Sequence, residues 1–143
     1  MYINKKKRLI LNYLKILLWE GKQEKAENVL KLSFALIKQL QSKNPLIVLL
    51  NCVKKAQPFC EVKSLRIKGN VHRVPVEIKH ERQKSLVFRW LLTNASTRSE
   101  HTFVESLSKE IIETTDLQSK TIKTCDEMHK IAEVNKIFTQ LKN

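Results

Sequence analysis

Glycine and proline are scarce in this chain, with 2 and 3 residues among 143. That scarcity excludes collagen-like and low-complexity sequences, and a hydrophobic content of 42% excludes a wholly disordered one. No window approaches the run of about 18 apolar residues that a membrane-spanning helix needs, so none is predicted. The three cysteines have irregular spacing, which gives neither a disulfide framework nor a paired metal motif and indicates a reducing compartment.

Acidic residues are also few, 14 against 27 lysines and arginines, which gives a net charge of +13. Such a charge attracts polyanions. Residues 1–60 hold 12 basic and 3 acidic side chains, residues 61–98 hold 9 and 3, and residues 99–143 hold 6 and 8. We therefore predict a nucleic-acid-binding surface on the first two thirds of the chain, with the last third serving for packing.

Hydrophobic periodicity predicts a mainly α fold in a single domain, residues 1–143, with six helices and one protruding two-stranded β-ribbon between the third and fourth. The first helix is heavily buried and ends near Gly21, and Asn44 followed by Pro45 starts the third. The predicted helices are Leu9 to Trp19, residues 23–42, Leu46 to Lys55, residues 81–95, residues 100–116, and Asp126 to Leu141.

Residues 59–78 change to alternating β-branched residues, FCEVKSLRI and VHRVPVEI around a KGN turn, which predicts a β-ribbon. We expect Gly69 and Asn70 to supply positive φ in the turn. Pro75 cannot donate to a ladder, so its strand is an edge. An isolated ribbon is marginally stable, which predicts that it leans on helices or on a partner.

Five cations or hydrogen-bond donors crowd the ribbon without a predicted internal counter-charge: Lys63, Arg66, Lys68, His72 and Arg73. This pattern favours a basic finger inserted into a groove or junction of RNA, where lysines meet phosphates and arginine forks meet phosphates or base edges. The alternative is a solvated basic ribbon with no ligand.

Arg82 and Arg89 are seven residues apart, so they share a helix face beside the ribbon, with Ser85 between them. That face is either an ordinary surface or part of a continuous phosphate-binding one. The leader residues Lys5, Lys6, Lys7 and Arg8 would extend it. The leader and the apolar run after it imitate a signal peptide or presequence, but no cleavage site follows and we predict an integral first helix.

Catalytic and metal-binding motifs are not recognisable. Cys125 and His129 stand one turn apart but lack a second ligand pair for zinc, and His72, His80 and His101 lack a nucleophile. No glycine-rich phosphate loop can be assembled. We expect no enzyme, no metal and no cofactor, and both tryptophans, Trp19 and Trp90, in the core.

The strings PFCEVKSLRIKGNVHRVPVEI, ERQKSLVFRWLL and DEMHKIAEVNKIF resemble small-subunit ribosomal protein seven, in bacterial numbering, over about Leu9 to Leu141. The resemblance implies six helices with an inserted ribbon. It implies binding to the 3′ major domain of small-subunit ribosomal RNA, assembly of the head, a ribbon near the exit-site tRNA and the mRNA path, and ribosomal protein eleven as a neighbour. The RNA-binding positions it implies are Lys63, Arg66, Arg73, Arg82, Arg89, Lys123 and Lys136.

The chain departs from the family pattern at three ribbon positions. Leu65 replaces a usual basic residue, Lys68 a usual first turn glycine, and His72 a usual aromatic. The basic N-terminal arm is reduced to Asn4 through Arg8. The resemblance therefore leaves the contacts of the ribbon tip open, and some RNA contacts of the family would be lost or supplied by other proteins.

Lysine supplies 21 of the 27 basic residues and isoleucine and asparagine are frequent, a bias that AT-rich coding produces. We expect an organelle-encoded protein of the mitochondrial matrix, with a plastid or a bacterial cytoplasm as alternatives. Two other functions stay open. One is a basic helical adaptor for an acidic protein, and the other is a peripheral membrane binder that uses the leader and first helix.

Overall fold

The computed structural model describes residues 21–142 and, before them, Ile10, Tyr13, Lys15 and Ile16. The predicted basic leader and Trp19 lie outside the described residues, as does most of the predicted first helix. Its four described positions have helical backbone, and Tyr13 is fully buried with its ring centroid 4.7 Å from that of Phe88. Ile10 and Ile16 are partly buried against the core, and Lys15 is exposed.

The described residues contain five α-helices, a C-terminal 3-10 helix and a two-stranded antiparallel ribbon between the second and third α-helices. The mainly α fold with an inserted ribbon is confirmed. The five α-helices correspond to the second to sixth predicted helices, and most of the predicted first helix lies outside the described residues. The elements are α1 Gln23–Gln41, α2 Pro45–Ala56, β1 Cys60–Ile67, β2 Asn70–Glu77, α3 His80–Ser96, α4 Phe103–Thr115, α5 Lys120–Val134 and the 3-10 helix Lys136–Lys142.

Capping side chains start three of these helices. The Asn44 side chain accepts a hydrogen bond from the Leu46 backbone N–H at 3.0 Å, with Pro45 at the first helical position, as predicted. Thr102 accepts from the Glu105 N–H at the start of α4. Helix α4 therefore begins at Phe103, inside the predicted range, because the cap fixes its first turn.

The last α-helix is where the prediction was most wrong. It begins six residues before Asp126, because the Ser119 hydroxyl accepts the Ile122 N–H at 3.2 Å and caps it. It also ends at Val134, and the chain continues as a 3-10 helix. Ile131 and Val134, apolar residues at helical spacing, are 40% and 78% exposed, so the end of this helix does not bury an apolar stripe.

Helix α4 occupies the centre of the fold, where it contacts α1, α2 and α3. Leu107 and Ile111 on α4 are fully buried and join the core cluster with Leu49 and Phe88. Burial of such side chains contributes about 1.5–3 kcal/mol each. Leu40 lies three residues after buried Ile37 on α1 but is 56% exposed, so the buried stripe of this helix ends at Ile37.

Trp90, expected in the core, is only half-buried on α3. Phe103, at the start of α4, is 37% exposed. The part of the chain described includes no helix long and apolar enough to cross a membrane.

The ribbon leans on the C-terminal part of the molecule, as its marginal stability predicts. Strand β1 packs against α5, and β2 packs against the 3-10 helix. Val74 on β2 is fully buried and anchors the ribbon. The ribbon root is thus fixed to the helical body, while Ser64, Arg66 and the turn are exposed.

Candidate nucleic-acid interface

The ribbon turn is formed by Lys68 and Gly69, whose φ angles are +48° and +87°. Positive φ at both central residues matches the twist of a two-residue hairpin. Asn70 was predicted in the turn, but it pairs with Ile67 as the first residue of β2. Lys68, not Asn70, is the residue that shares positive φ with Gly69. Its exposed side chain therefore places a positive charge at the ribbon tip.

Arg66 and Arg73 lie on the same face of the ribbon. The register pairs Arg66 with Val71 and Ser64 with Arg73, which makes the two arginines diagonal neighbours. Both side chains are exposed. Neither forms an ion pair or side-chain hydrogen bond with any residue that the structure describes. We call this side of the ribbon, with Arg66, Arg73 and the adjacent Lys68, the arginine face.

Lys63 lies on the opposite face, and the expectation that it lacks an internal counter-charge is wrong. Its Nζ is 3.6 Å from Oε1 of Glu61. The other oxygen of the same carboxylate is 3.3 Å from Nε of Arg82, at the start of α3. Glu61 therefore links the ribbon root to α3. Both cations stay about half exposed, whereas only 14% of the Glu61 side chain is exposed. The solvent-facing sides of the two cations are therefore accessible to phosphates.

His72 does not belong with the exposed tip donors. Its ring lies 5.0 Å, centroid to centroid, from that of Phe138 in the 3-10 helix. The contact holds the C-terminal segment against β2, which brings the segment containing exposed Lys136 beside the ribbon. His72 is therefore a packing residue of the ribbon.

Arg89 and Lys123 occupy other parts of the surface. Arg89 is exposed two turns along α3 from Arg82, as its spacing predicts. Lys123 lines a cleft of about 330 Å³ near the end of α3, together with Glu100 and Glu113. The structure thus gathers six predicted residues at or near the ribbon and places these two outside it. The six are Lys63, Arg66, Lys68, Arg73, Arg82 and Lys136, and the predicted leader residues Lys5, Lys6, Lys7 and Arg8 lie outside the described part.

A further charged feature is a buried ionic centre that the sequence does not predict. Arg98 donates to a carboxylate oxygen of Glu110 at 2.7 Å and makes two hydrogen bonds to Glu113 at 2.7 and 2.8 Å. Glu110 is fully buried, and its other oxygen accepts from the backbone N–H and hydroxyl of Thr121. This centre joins the end of α3, α4 and the N-terminus of α5. No spacing in the sequence marks it.

The hydrogen bonds between Arg98 and Glu113 shift the pKa values of both side chains. The hydrogen bond from Arg98 holds the pKa of Glu113 below its usual range, although burial opposes that shift. The same bond raises the pKa of the Arg98 guanidinium. Both groups are charged near neutral pH. Arg98 is thus a structural cation, and only 15% of its side chain is exposed.

The cysteines are free thiols in the described residues, without a disulfide. Burial raises the pKa of Cys52 to about 12 and that of Cys125 to about 11, so both are protonated at neutral pH. No cluster of three or more metal-ligating side chains occurs between residues 21 and 142. His129, one turn after Cys125, instead accepts the Phe59 backbone N–H on Nε2 at 3.1 Å.

Residues 2–136 match the family model for ribosomal protein S7p/S5e. The chain belongs to this family. Similar proteins include small ribosomal subunit protein uS7 of Magnetococcus marinus, 36% identical over 135 residues that make up 94% of this chain and 86% of that protein. The uS7 protein of Solibacter usitatus is 33% identical over 134 residues, again 94% and 86% of the two chains.

The uS7m protein of Reclinomonas americana is 35% identical over 134 residues, which cover 94% of this chain and 84% of that protein. The resemblance drawn from the ribbon and C-terminal strings is thereby confirmed. Membership of the S7 family identifies the chain as a structural constituent of the small ribosomal subunit, a component of the translation machinery.

Proposed function

We propose that this S7-family protein binds the 3′ major domain of small-subunit ribosomal RNA through the ribbon and its neighbouring cations, and that it helps assemble the head. The observation that carries the proposal is the arginine face. Arg66 and Arg73 are exposed diagonal neighbours without an internal counter-charge among the described residues. Two guanidinium forks on one side of a ribbon suit phosphates and base edges at an RNA junction.

Binding would proceed by neutralising phosphates and recognising shape, without catalysis. The deep major groove of A-form RNA is closed to side chains, so backbone, junctions and loops are the targets. Lys63 and Arg82 would meet phosphate oxygens with their solvent-facing sides. If about eight cations contact phosphates, the log-log slope of affinity against salt is roughly −6 to −7.

The proposal extends to the surroundings of the bound protein. The ribbon would lie near the exit-site tRNA and the mRNA path, with ribosomal protein eleven as a neighbour. A mitochondrial matrix location with organellar coding is supported by the AT-rich residue bias and by the similarity to a uS7m protein. Plastid and bacterial locations are the alternatives, and an import assay into isolated organelles separates an imported protein from one made inside.

The test is a binding experiment with the purified full chain at about 0.2 M salt, which suppresses nonspecific phosphate attraction. One RNA is the 3′ major domain transcript of the protein's own source, and the other is an unrelated folded RNA of equal length. We expect tighter binding to the ribosomal transcript. Equal binding would overturn specific recognition, and binding to neither would favour the adaptor for an acidic protein.

A further inference from the structure

Phe59, immediately before β1, is the most exposed aromatic residue of the described chain, with 79% of its surface accessible. One side of its ring stacks on the imidazole of His129, with the centroids 5.7 Å apart and the planes inclined by 22°. The hydrogen bond from its backbone N–H to Nε2 of His129 fixes the same pair a second time. The ring is therefore held in place and presents its other side to solvent.

A large apolar ring that is both exposed and fixed gains free energy when a flat partner covers it. Unpaired nucleobases are such partners, since every base has a π-face and stacks on aromatic side chains in proteins that bind single-stranded RNA segments. Fixing the ring in advance lowers the entropy that such a contact costs. The Phe59–His129 pair has the geometry of a stacking platform.

The charges around the pair indicate which part of a nucleotide fits there. Asp126 and Glu133 lie about one turn from His129 on either side along α5, so a phosphate directly on the ring would face two carboxylates. A nucleobase is uncharged and avoids that repulsion. Exposed Lys130, which follows His129 along α5, is available to neighbouring phosphates.

We propose that Phe59, backed by His129, stacks on an unpaired base of the bound RNA. This contact is additional to the phosphate contacts of the arginine face and rests on the proposed function. Its contribution differs in kind, because base stacking releases few counterions and depends weakly on salt. The platform would stack on a loop or bulge base next to the ribbon root, whereas the arginine face would make charged contacts to phosphates and base edges.

The first experiment compares the parent protein with Phe59→Leu and Phe59→Tyr for binding to the 3′ major domain transcript. Phe59→Leu keeps an apolar side chain but removes the ring, and we expect affinity to fall about 5- to 100-fold with an unchanged salt slope. Phe59→Tyr keeps the aromatic ring, and because the stack is preserved its affinity should stay within about twofold of the parent. Leu32→Ala, which shortens an exposed apolar side chain on α1, is the matched control.

A second readout does not depend on the leucine variant. In Phe59→Trp the new indole should be quenched on RNA addition beyond the change seen in the parent, which carries Trp19 and Trp90. Parent-like affinity of Phe59→Leu, or an unchanged indole signal while RNA binds, would overturn the platform and leave the proposed function standing. If the parent itself shows no preference for the ribosomal transcript, the proposed function fails first.

Discussion

Arg98 and Arg66 are the same residue type in opposite environments. Arg98 is mostly buried and makes hydrogen bonds to the carboxylates of Glu110 and Glu113. Arg66 is exposed on the ribbon and has no ion pair among the described residues. In one region the protein supplies the anions, and in the other it leaves the cation available. A basic residue that already has its carboxylates contributes to folding, and one without them is available to RNA.

The ribbon root is intermediate between these two regions. Lys63 and Arg82 share the single carboxylate of Glu61, yet both remain about half exposed. Ion pairs of exposed cations contribute at most about 1 kcal/mol to the free energy of unfolding. The same two cations can therefore stabilise the free protein slightly and also serve a phosphate when RNA is present.

The largest effect is expected from Arg98→Met. Removing the guanidinium leaves the fully buried Glu110 carboxylate without its cation, and breaking a buried pair in this way costs about 3–5 kcal/mol. The free energy of unfolding, measured with urea, should fall by that amount. Arg66→Met is the control, and we expect it within about 0.5 kcal/mol of the parent. Equal losses for the two variants would contradict the contrast between the regions.

The double variant Arg66→Ala, Arg73→Ala should show the reverse pattern. Both side chains are exposed and make no described ion pair, so the free energy of unfolding should stay within about 0.5 kcal/mol of the parent. RNA affinity at 0.2 M salt should fall by at least about tenfold, since two charge-assisted contacts are lost. The control Lys109→Ala removes a cation of α4 that is paired with Glu100, in the C-terminal third of the chain. It should leave RNA affinity near the parent value.

Acid should weaken the buried centre through Glu113. Its pKa is lower in the folded protein than the ordinary value of 4.5, so the stabilisation is present above pH 4.5 and is lost as the pH falls through the folded pKa. Urea midpoints between pH 6 and pH 3 should decline, and decline less in Glu113→Gln. A parallel decline in both proteins would show that other carboxylates dominate.

Glu61→Gln should give the smallest effect. It removes the carboxylate that competes for Lys63 and Arg82, so stability should fall by less than about 1 kcal/mol. RNA affinity should rise by about twofold to fivefold, because two cations gain freedom to meet phosphates. Titration of both proteins with the same transcript measures the change. A weaker complex would mean that Glu61 positions these cations for RNA.

The sequence predicts local features of this fold well, because their signals are local. Asn44 with Pro45 marks the start of α2, and the alternating strings around Gly69 mark the ribbon. The turn was misplaced by one residue, since Lys68 adopts a positive φ that lysine rarely takes. The six residues missed at the start of α5 follow from the Ser119 cap, which no apolar periodicity announces.

The partners of each charge could not be predicted in the same way. Arg98 meets Glu110 and Glu113 only because a loop turns the chain back between α3 and α4, and His72 meets Phe138 across 66 positions of sequence. Glu61 is two residues from Lys63 but 21 from Arg82. Which cations remain unpaired and accessible to RNA thus depends on the tertiary structure, whereas the total number of cations follows from the composition.

The most direct test of the central claim is the salt dependence of RNA affinity for the parent and for the double variant Arg66→Ala, Arg73→Ala. With about eight phosphate contacts the parent slope is roughly −6 to −7, and removing two contacts reduces its magnitude by about 1.5. That reduction, with unchanged stability, is the result predicted. An identical slope in both proteins would contradict the claim that the unpaired arginines of the ribbon bind RNA phosphates.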